Sequence, residues 1–197
     1  MELGDRPATV VRPADWTTLR AAEQADGRDS PYWAIVWASG EALAAEVCAE
    51  PPSAGARVVE LGCGLALPSL AAARAGAQVL ATDASAEAVV FAAHTLALDG
   101  QVGEVAAIDW REPAWMLERG PWDLVLAADV LYLRRNVQAL QELLPQLVQP
   151  GTQAWLADPG RAGARELLGW ARDRFEVRSS PSSRHAAVAI HRFAVRS

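Results

Sequence analysis

The sequence predicts an α/β fold built on a doubly wound sheet of seven strands, mostly parallel. Two observations carry this. Short β-branched apolar runs alternate with Ala/Leu-rich segments of helical length, the pattern of parallel strands covered by helices on both faces. The last two β segments break that alternation. Only Ser179-Ser180-Pro181-Ser182-Ser183 separates them, so they read as a terminal antiparallel hairpin on the parallel sheet. No repeat or linker divides residues 1–197, which read as one domain.

In chain order, residues 1–30 are polar and broken by Pro7, Pro13 and Gly27. A short strand at Thr9-Val10-Val11 and a helix from Asp15 to about Ala25 are expected there. The aromatic, uncharged stretch from Ser30 to Gly40 leads into a helix from Glu41 to Ala49. It suits either a core-packing helix start or a wall over a ligand, so residues 1–40 are read as a lead-in with an aromatic lid or wall. The parallel strands are Arg57–Glu60, Ala77–Thr82, Glu104–Ile108, Trp122–Ala128 and Gln153–Ala157. Helices lie between them at Leu65–Ala73, Ala86–Leu96, Pro113–Glu118 and Arg135–Val148. Ser85 caps the second of these, Asp99-Gly100 ends it, and Pro145 kinks the last. A helix from Ala164 to Arg172 precedes the hairpin segments Arg174–Arg178 and Ala186–Ala194.

Composition narrows the function. A formal charge of −6 argues against general nucleic-acid binding. Residues 161–197 hold eight Arg and three acids, about +5, which leaves the first 160 near −11. That basic end suits an acidic partner or a solvated surface, and the solvated surface is the reading taken. All 18 basic residues are Arg, so Schiff-base chemistry and P-loop phosphate binding are excluded. No apolar run reaches the roughly 18 residues of a membrane span, and the N-terminus lacks a basic-then-apolar signal pattern. Cys48 and Cys63 form neither a disulfide framework nor a metal site. The expected compartment is the cytoplasm, and no metal is expected.

The chain is organised around Arg57-Val58-Val59-Glu60-Leu61-Gly62-Cys63-Gly64. A strand ends in an acid and opens through Gly-x-Gly into a helix, which allows close backbone approach to a ligand. Alone, such a turn suits a dinucleotide, another nucleotide or no ligand at all. Leu67 stands where the dinucleotide fingerprint has its third small residue and would crowd a pyrophosphate. Glu60 would repel a diphosphate and suit a cationic group. Asp83 ends the second strand, roughly 20 residues past the glycines, where an acid can hold two ribose hydroxyls. Asp109, Asp129 and Asp158 follow further strands. Acids keeping step with strand ends mark the edge where open α/β sheets bind ligands.

Acid, Gly-x-Gly and second acid at this spacing resemble the S-adenosylmethionine site of the seven-stranded class I methyltransferases, a Rossmann-like fold. Asp129-Val130-Leu131-Tyr132 matches the Asp-x-x-Tyr element that follows strand four in their lysine-directed branch. Pro31-Tyr32-Trp33-Ala34-Ile35-Val36-Trp37-Ala38-Ser39-Gly40 is similar to the aromatic segment of electron-transfer flavoprotein β-subunit lysine methyltransferases. Asp158-Pro159-Gly160-Arg161 resembles their element after strand five. The likeness covers about residues 28–165. Ala38 departs from the proline expected there, and the C-terminal third matches weakly.

The resemblance implies roles. Glu60, Gly62, Cys63 and Gly64 hold the amino-acid portion of S-adenosylmethionine. Asp83, with Ala84 beside it, takes the ribose diol, and Asp109 and Trp110 face the adenine. Ala127 and Ala128 leave room beside the sulfonium, and Trp37, with Trp33, walls the cofactor or the acceptor channel. Asp129 and Tyr132 are the catalytic pair, accepting hydrogen bonds from an amine and aiming its lone pair. The implied activity is in-line methyl transfer to a protein lysine, with a flavoprotein β-subunit as possible partner, releasing S-adenosylhomocysteine. Nucleic acid and membrane are not expected partners. A metabolite-amine methyltransferase and a non-catalytic S-adenosylmethionine-binding protein are the alternatives. A nicotinamide dehydrogenase is disfavoured by Glu60 and Leu67.

Overall fold

A computed structural model describes residues 1–196. A hairpin of β1 (Glu2–Leu3) and β2 (Arg6–Pro7) opens the chain, and α1 (Trp16–Ala25) follows. Asp15 caps α1 by accepting from the amides of Thr17 and Thr18 at 2.9 and 3.0 Å. A 3-10 turn at Tyr32–Ala34 leads into α2 (Ala38–Ala49). The alternation then runs β3 (Arg57–Leu61), α3 (Leu67–Arg74), β4 (Gln78–Asp83), α4 (Ala86–Leu98), β5 (Glu104–Ala107), α5 (Ala114–Glu118), β6 (Leu124–Ala128), α6 (Arg134–Leu147), β7 (Gln153–Asp158) and α7 (Ala162–Ala171). The hairpin of β8 (Phe175–Pro181) and β9 (Ala189–Val195) closes it.

The main sheet has the order β5-β4-β3-β6-β7-β9-β8. The first five of these strands are parallel, β9 runs antiparallel to β7, and β8 antiparallel to β9. The doubly wound sheet with its C-terminal hairpin is therefore as expected. Strand order reverses between β3 and β6, and that switch point opens a crevice at the carboxyl edge. Register keeps the edge even: Leu61 lies opposite Thr82 on one side and Ala127 on the other.

Parallel strands buried on both faces need apolar residues at every position, and the two layers divide them by parity. Val59, Leu61, Val125 and Ala127 pack under Val137, Leu140 and Leu144 of α6 and Leu167 of α7. Val58, Leu124, Leu126 and Trp155 face Leu43 and Val47 of α2 and Leu67 and Leu70 of α3.

Two expectations change. Thr9–Val11 is not a strand; the Val11 amide donates to Thr95 Oγ1 at 3.2 Å rather than to a neighbouring strand. α2 begins at Ala38 rather than Glu41, so Ser39 and Gly40 belong to its first turn. The arginine-rich end is mostly solvated, as expected: Arg165, Arg172, Arg174, Arg178, Arg184 and Arg196 are exposed, and Arg161 and Arg192 are half-buried. Arg192 binds Glu46 and Glu50 and lies over Trp155, Arg178 binds Glu176, and Arg174 lies over Trp170.

Candidate active site

The turn after β3 is shaped by its glycines. Gly62 and Gly64 have φ of +66° and +50°, in the left-handed region that side chains disfavour. A Cβ on Gly62 would lie 2.9 Å from Val130 Cγ1 and 3.4 Å from the Trp110 ring, and one on Gly64 would lie 3.1 Å from the Trp33 carbonyl oxygen. The turn is thus walled by residues that follow β5 and β6 and by the aromatic segment before α2.

Glu60 is buried at the end of β3. Its Oε2 accepts from the Ser69 amide at 2.9 Å and from the Ser69 hydroxyl, in the first turn of α3. Burial pushes its carboxyl up to about 8, with the Ser69 hydrogen bonds and the helix N-terminus working in the opposite sense. Oε1 makes no hydrogen bond among the described residues. Asp83 at the tip of β4 accepts from the Gly64 amide on Oδ2 at 3.0 Å and from the Ser85 amide on Oδ1 at 2.9 Å. Burial raises its carboxyl, and the amides of Ser85, Gly64 and Ala84 partly offset this. Cys63 is buried within the turn and its thiol is pushed well up, which makes it a poor nucleophile.

Asp129 follows β6 with φ of +59°. Its Oδ1 accepts from Arg161 Nε at 2.6 Å and lies 2.5 Å from a terminal guanidinium nitrogen. Its Oδ2 accepts from the Ser39 hydroxyl at 3.2 Å. Three residues on, Tyr132 meets Tyr32 edge-on with ring centres 5.5 Å apart, and Tyr32 meets Trp37 at 6.0 Å. The Trp37 indole donates to the Tyr32 carbonyl at 2.8 Å, which fixes that ring. Burial raises the Tyr132 phenol. Trp33 turns onto Phe91 of α4, with ring centres 5.3 Å apart.

A single cavity of about 840 Å³ connects these groups. Glu60, Gly62, Cys63, Gly64, Asp83, Ala84, Asp109, Trp110, Ala128, Asp129, Tyr132 and Trp37 all line it. Ala127 does not. Strand alternation points it into the core under α6 and α7, and only Ala128 faces the cavity. Asp158 is also absent from the lining. It is fully buried, and its Oδ1 accepts the amides of Gly160 and Arg161, both at 2.7 Å, so it forms the turn into α7. The Asp109 carboxylate is not free, because Arg111 grips it through its amide and guanidinium and holds it below its usual range. Ser39, Ser69 and the grip of Arg161 on Asp129 were invisible to sequence reasoning. Arg161 lies in the Asp158–Arg161 segment and Ser39 in the Pro31–Gly40 segment, but spacing does not reveal Asp129 as the partner of both. No group of His, Cys, Asp and Glu among the described residues is arranged to hold a metal.

The residues fit S-adenosylmethionine. A side chain at either glycine would fill the cradle, Glu60 Oε1 is open to an ammonium, and Asp83 keeps lone pairs for hydroxyls. The volume lies within the usual range of a small-molecule site. The fold is that of the class I S-adenosylmethionine-dependent methyltransferases. A family profile described as lysine methyltransferase matches residues 17–165, and the chain belongs to that family.

Among curated proteins, the electron transfer flavoprotein beta subunit lysine methyltransferase of Xenopus laevis is 33% identical over 136 residues, 67% of this chain and 54% of that protein. Its counterpart from Danio rerio is 34% identical over 135 residues, 67% of this chain and 51% of that protein. This chain therefore spans about half the length of those relatives. Solved structures share the fold. Ribosomal protein L11 methylase from Lactobacillus delbrueckii subsp. bulgaricus superposes with a TM-score of 0.64 at 19% identity, over 81% of this chain and 79% of that one. Magnesium protoporphyrin IX methyltransferase from Synechocystis PCC 6803, with bound S-adenosylmethionine, gives 0.59 at 20% identity, over 96% and 100%.

Proposed function

We propose that this protein transfers a methyl group from S-adenosylmethionine to the ε-amine of a lysine on another protein. The observation that carries the reading is the position of Asp129 and Tyr132, which line the same cavity as Glu60 and Asp83. When bound, S-adenosylmethionine supplies an electrophilic methyl carbon: the nitrogen lone pair forms the N–C bond as the C–S bond breaks, and its electrons return to sulfur.

The chain's own residues bind, orient and exclude water. Glu60 and the Gly62–Gly64 turn take the ligand's amino-acid end, Asp83 its diol, and Trp110 packs against the base. Asp109 reaches the base only if Arg111 yields, so Trp110 is given the larger share. A lysine has an ordinary pKa of about 10.4 and reacts only as the neutral amine. Asp129 and Tyr132 accept hydrogen bonds from that amine and direct its lone pair, and Tyr32 and Trp37 shield it from solvent. The proton lost on methylation passes to solvent.

The relatives named for methylating an electron transfer flavoprotein beta subunit make that protein the first acceptor to test. Two free cysteines suit a reducing compartment, which we take to be the cytoplasm. No helix among the described residues is long and apolar enough to cross a membrane. The test is to incubate the protein with methyl-labelled S-adenosylmethionine and host lysate, then separate macromolecules from metabolites. Label on lysine in a protein band supports the reading; label confined to small molecules replaces it with a metabolite-amine methyltransferase.

A further inference from the structure

We propose that Arg161 and Ser39 are positioning residues that set both the direction and the effective charge of Asp129. This rests on the methyl-transfer reading above. The geometry is specific. Both guanidinium contacts of Arg161 fall on Oδ1, while Oδ2 has only the Ser39 hydroxyl. Oδ2 therefore keeps an open lone-pair position for an amine N–H, and Oδ1 does not. Arg161 is itself held, because Asp158 accepts its amide and that of Gly160. One string of contacts thus runs from the end of β7 through Arg161 to the end of β6 and on to the first turn of α2.

The charge has a chemical consequence. A lone carboxylate beside the acceptor would stabilise its ammonium form, which cannot attack. Arg161, bonded to the same carboxylate, cancels most of that field, so Asp129 can orient the amine without holding its proton. Other charged groups nearby have partners of their own. Arg135 of α6 binds Asp29, and Glu41 of α2 binds His185 in the β8–β9 loop at 2.8 Å. Tyr132, with its raised phenol, is neutral at working pH. Glu60 and Asp83 also line the cavity, in the half assigned to the donor.

The test is a double-mutant cycle on Arg161 and Asp129, read as turnover, cofactor affinity and pH profile. Arg161→Gln should lower kcat about 10–100-fold and leave S-adenosylmethionine affinity within about threefold. It should also move the rising limb of the kcat profile up by about one pH unit, because the uncompensated Asp129 then favours the ammonium. Arg161→Lys should restore part of the rate. In an Asp129→Asn background, Arg161→Gln should add less than about twofold. Normal kcat in Arg161→Gln, an unmoved pH limb, or full additivity would each overturn the proposal. If Arg161→Gln does not fold, Arg161→Lys and Ser39→Ala decide: Ser39→Ala should lose about 3–10-fold in kcat at unchanged cofactor affinity, and wild-type kcat in both variants overturns it. Wild-type protein that turns over no acceptor would sink the methyltransferase reading, and this inference with it. Active wild-type enzyme indifferent to Arg161 and Ser39 sinks this inference alone.

Discussion

Asp83 Oδ2 accepts the amide of Gly64 at 3.0 Å, so the tip of one strand holds the glycine turn of its neighbour. The carboxylate shapes the turn, and in the proposed function it also binds the ligand's hydroxyls. Asp83→Ala should weaken S-adenosylmethionine binding about 10–100-fold, measured by calorimetry. Asp83→Asn, which still offers one oxygen, should fall between it and wild type. Unchanged affinity in both variants would remove Asp83 from the cofactor site.

Glu60 predicts a pH dependence with a definite sign. Its carboxyl sits at about 8 in the folded protein against an ordinary 4.5, so near neutrality it carries a proton. A ligand ammonium needs the ionised form, so binding expels that proton. Cofactor affinity should therefore rise with pH, by at most about tenfold per unit, until roughly pH 8. The same raised value makes the free protein less stable as pH climbs from about 4.5 to 8, because the unfolded chain releases the proton first. Glu60→Gln should flatten both curves; titration calorimetry and thermal melts across pH 5–9 check them.

Asp129→Ala should abolish turnover and leave cofactor affinity within a few-fold, because its contacts run to Arg161 and Ser39 rather than to the glycine turn. Lost affinity would move Asp129 to the cofactor side.

Gly62→Ala should destabilise the fold by roughly 1–3 kcal/mol. Its φ is positive and the new methyl would press Val130 Cγ1 at 2.9 Å. A melting temperature equal to wild type would mean that Val130 gives way freely.

Arg74 and Asp99 form a nearly buried ion pair, with Nε to Oδ1 at 2.7 Å, and Arg74 also donates to the Pro7 carbonyl. Arg74→Met leaves Asp99 without its cation and should cost about 3 kcal/mol or more in chemical denaturation. It should also loosen the N-terminal hairpin.

Strand positions and order of elements were legible because central parallel strands such as Leu124–Ala128 are apolar at every residue, and because no helical segment separates the last two strands. Two details were within reach of the sequence: Ala127 and Ala128 point to opposite faces by strand alternation, and Arg111 lies only two residues from Asp109. Ser39 and Asp129, in contrast, are 90 residues apart in sequence, and Ser69 caps Glu60 only once α3 has docked. Such pairings arise from packing, which periodicity does not encode.

The switch point between β3 and β6 divides labour across the cavity. On the β3–β4 side stand Glu60, the glycine turn and Asp83; on the β6–β7 side stand Asp129, the Arg161 that binds it, and Tyr132. The two halves meet where Val130 packs on Gly62. Substitutions on one side of that seam therefore leave the contacts of the other in place, so the two sides of the crevice can be altered independently.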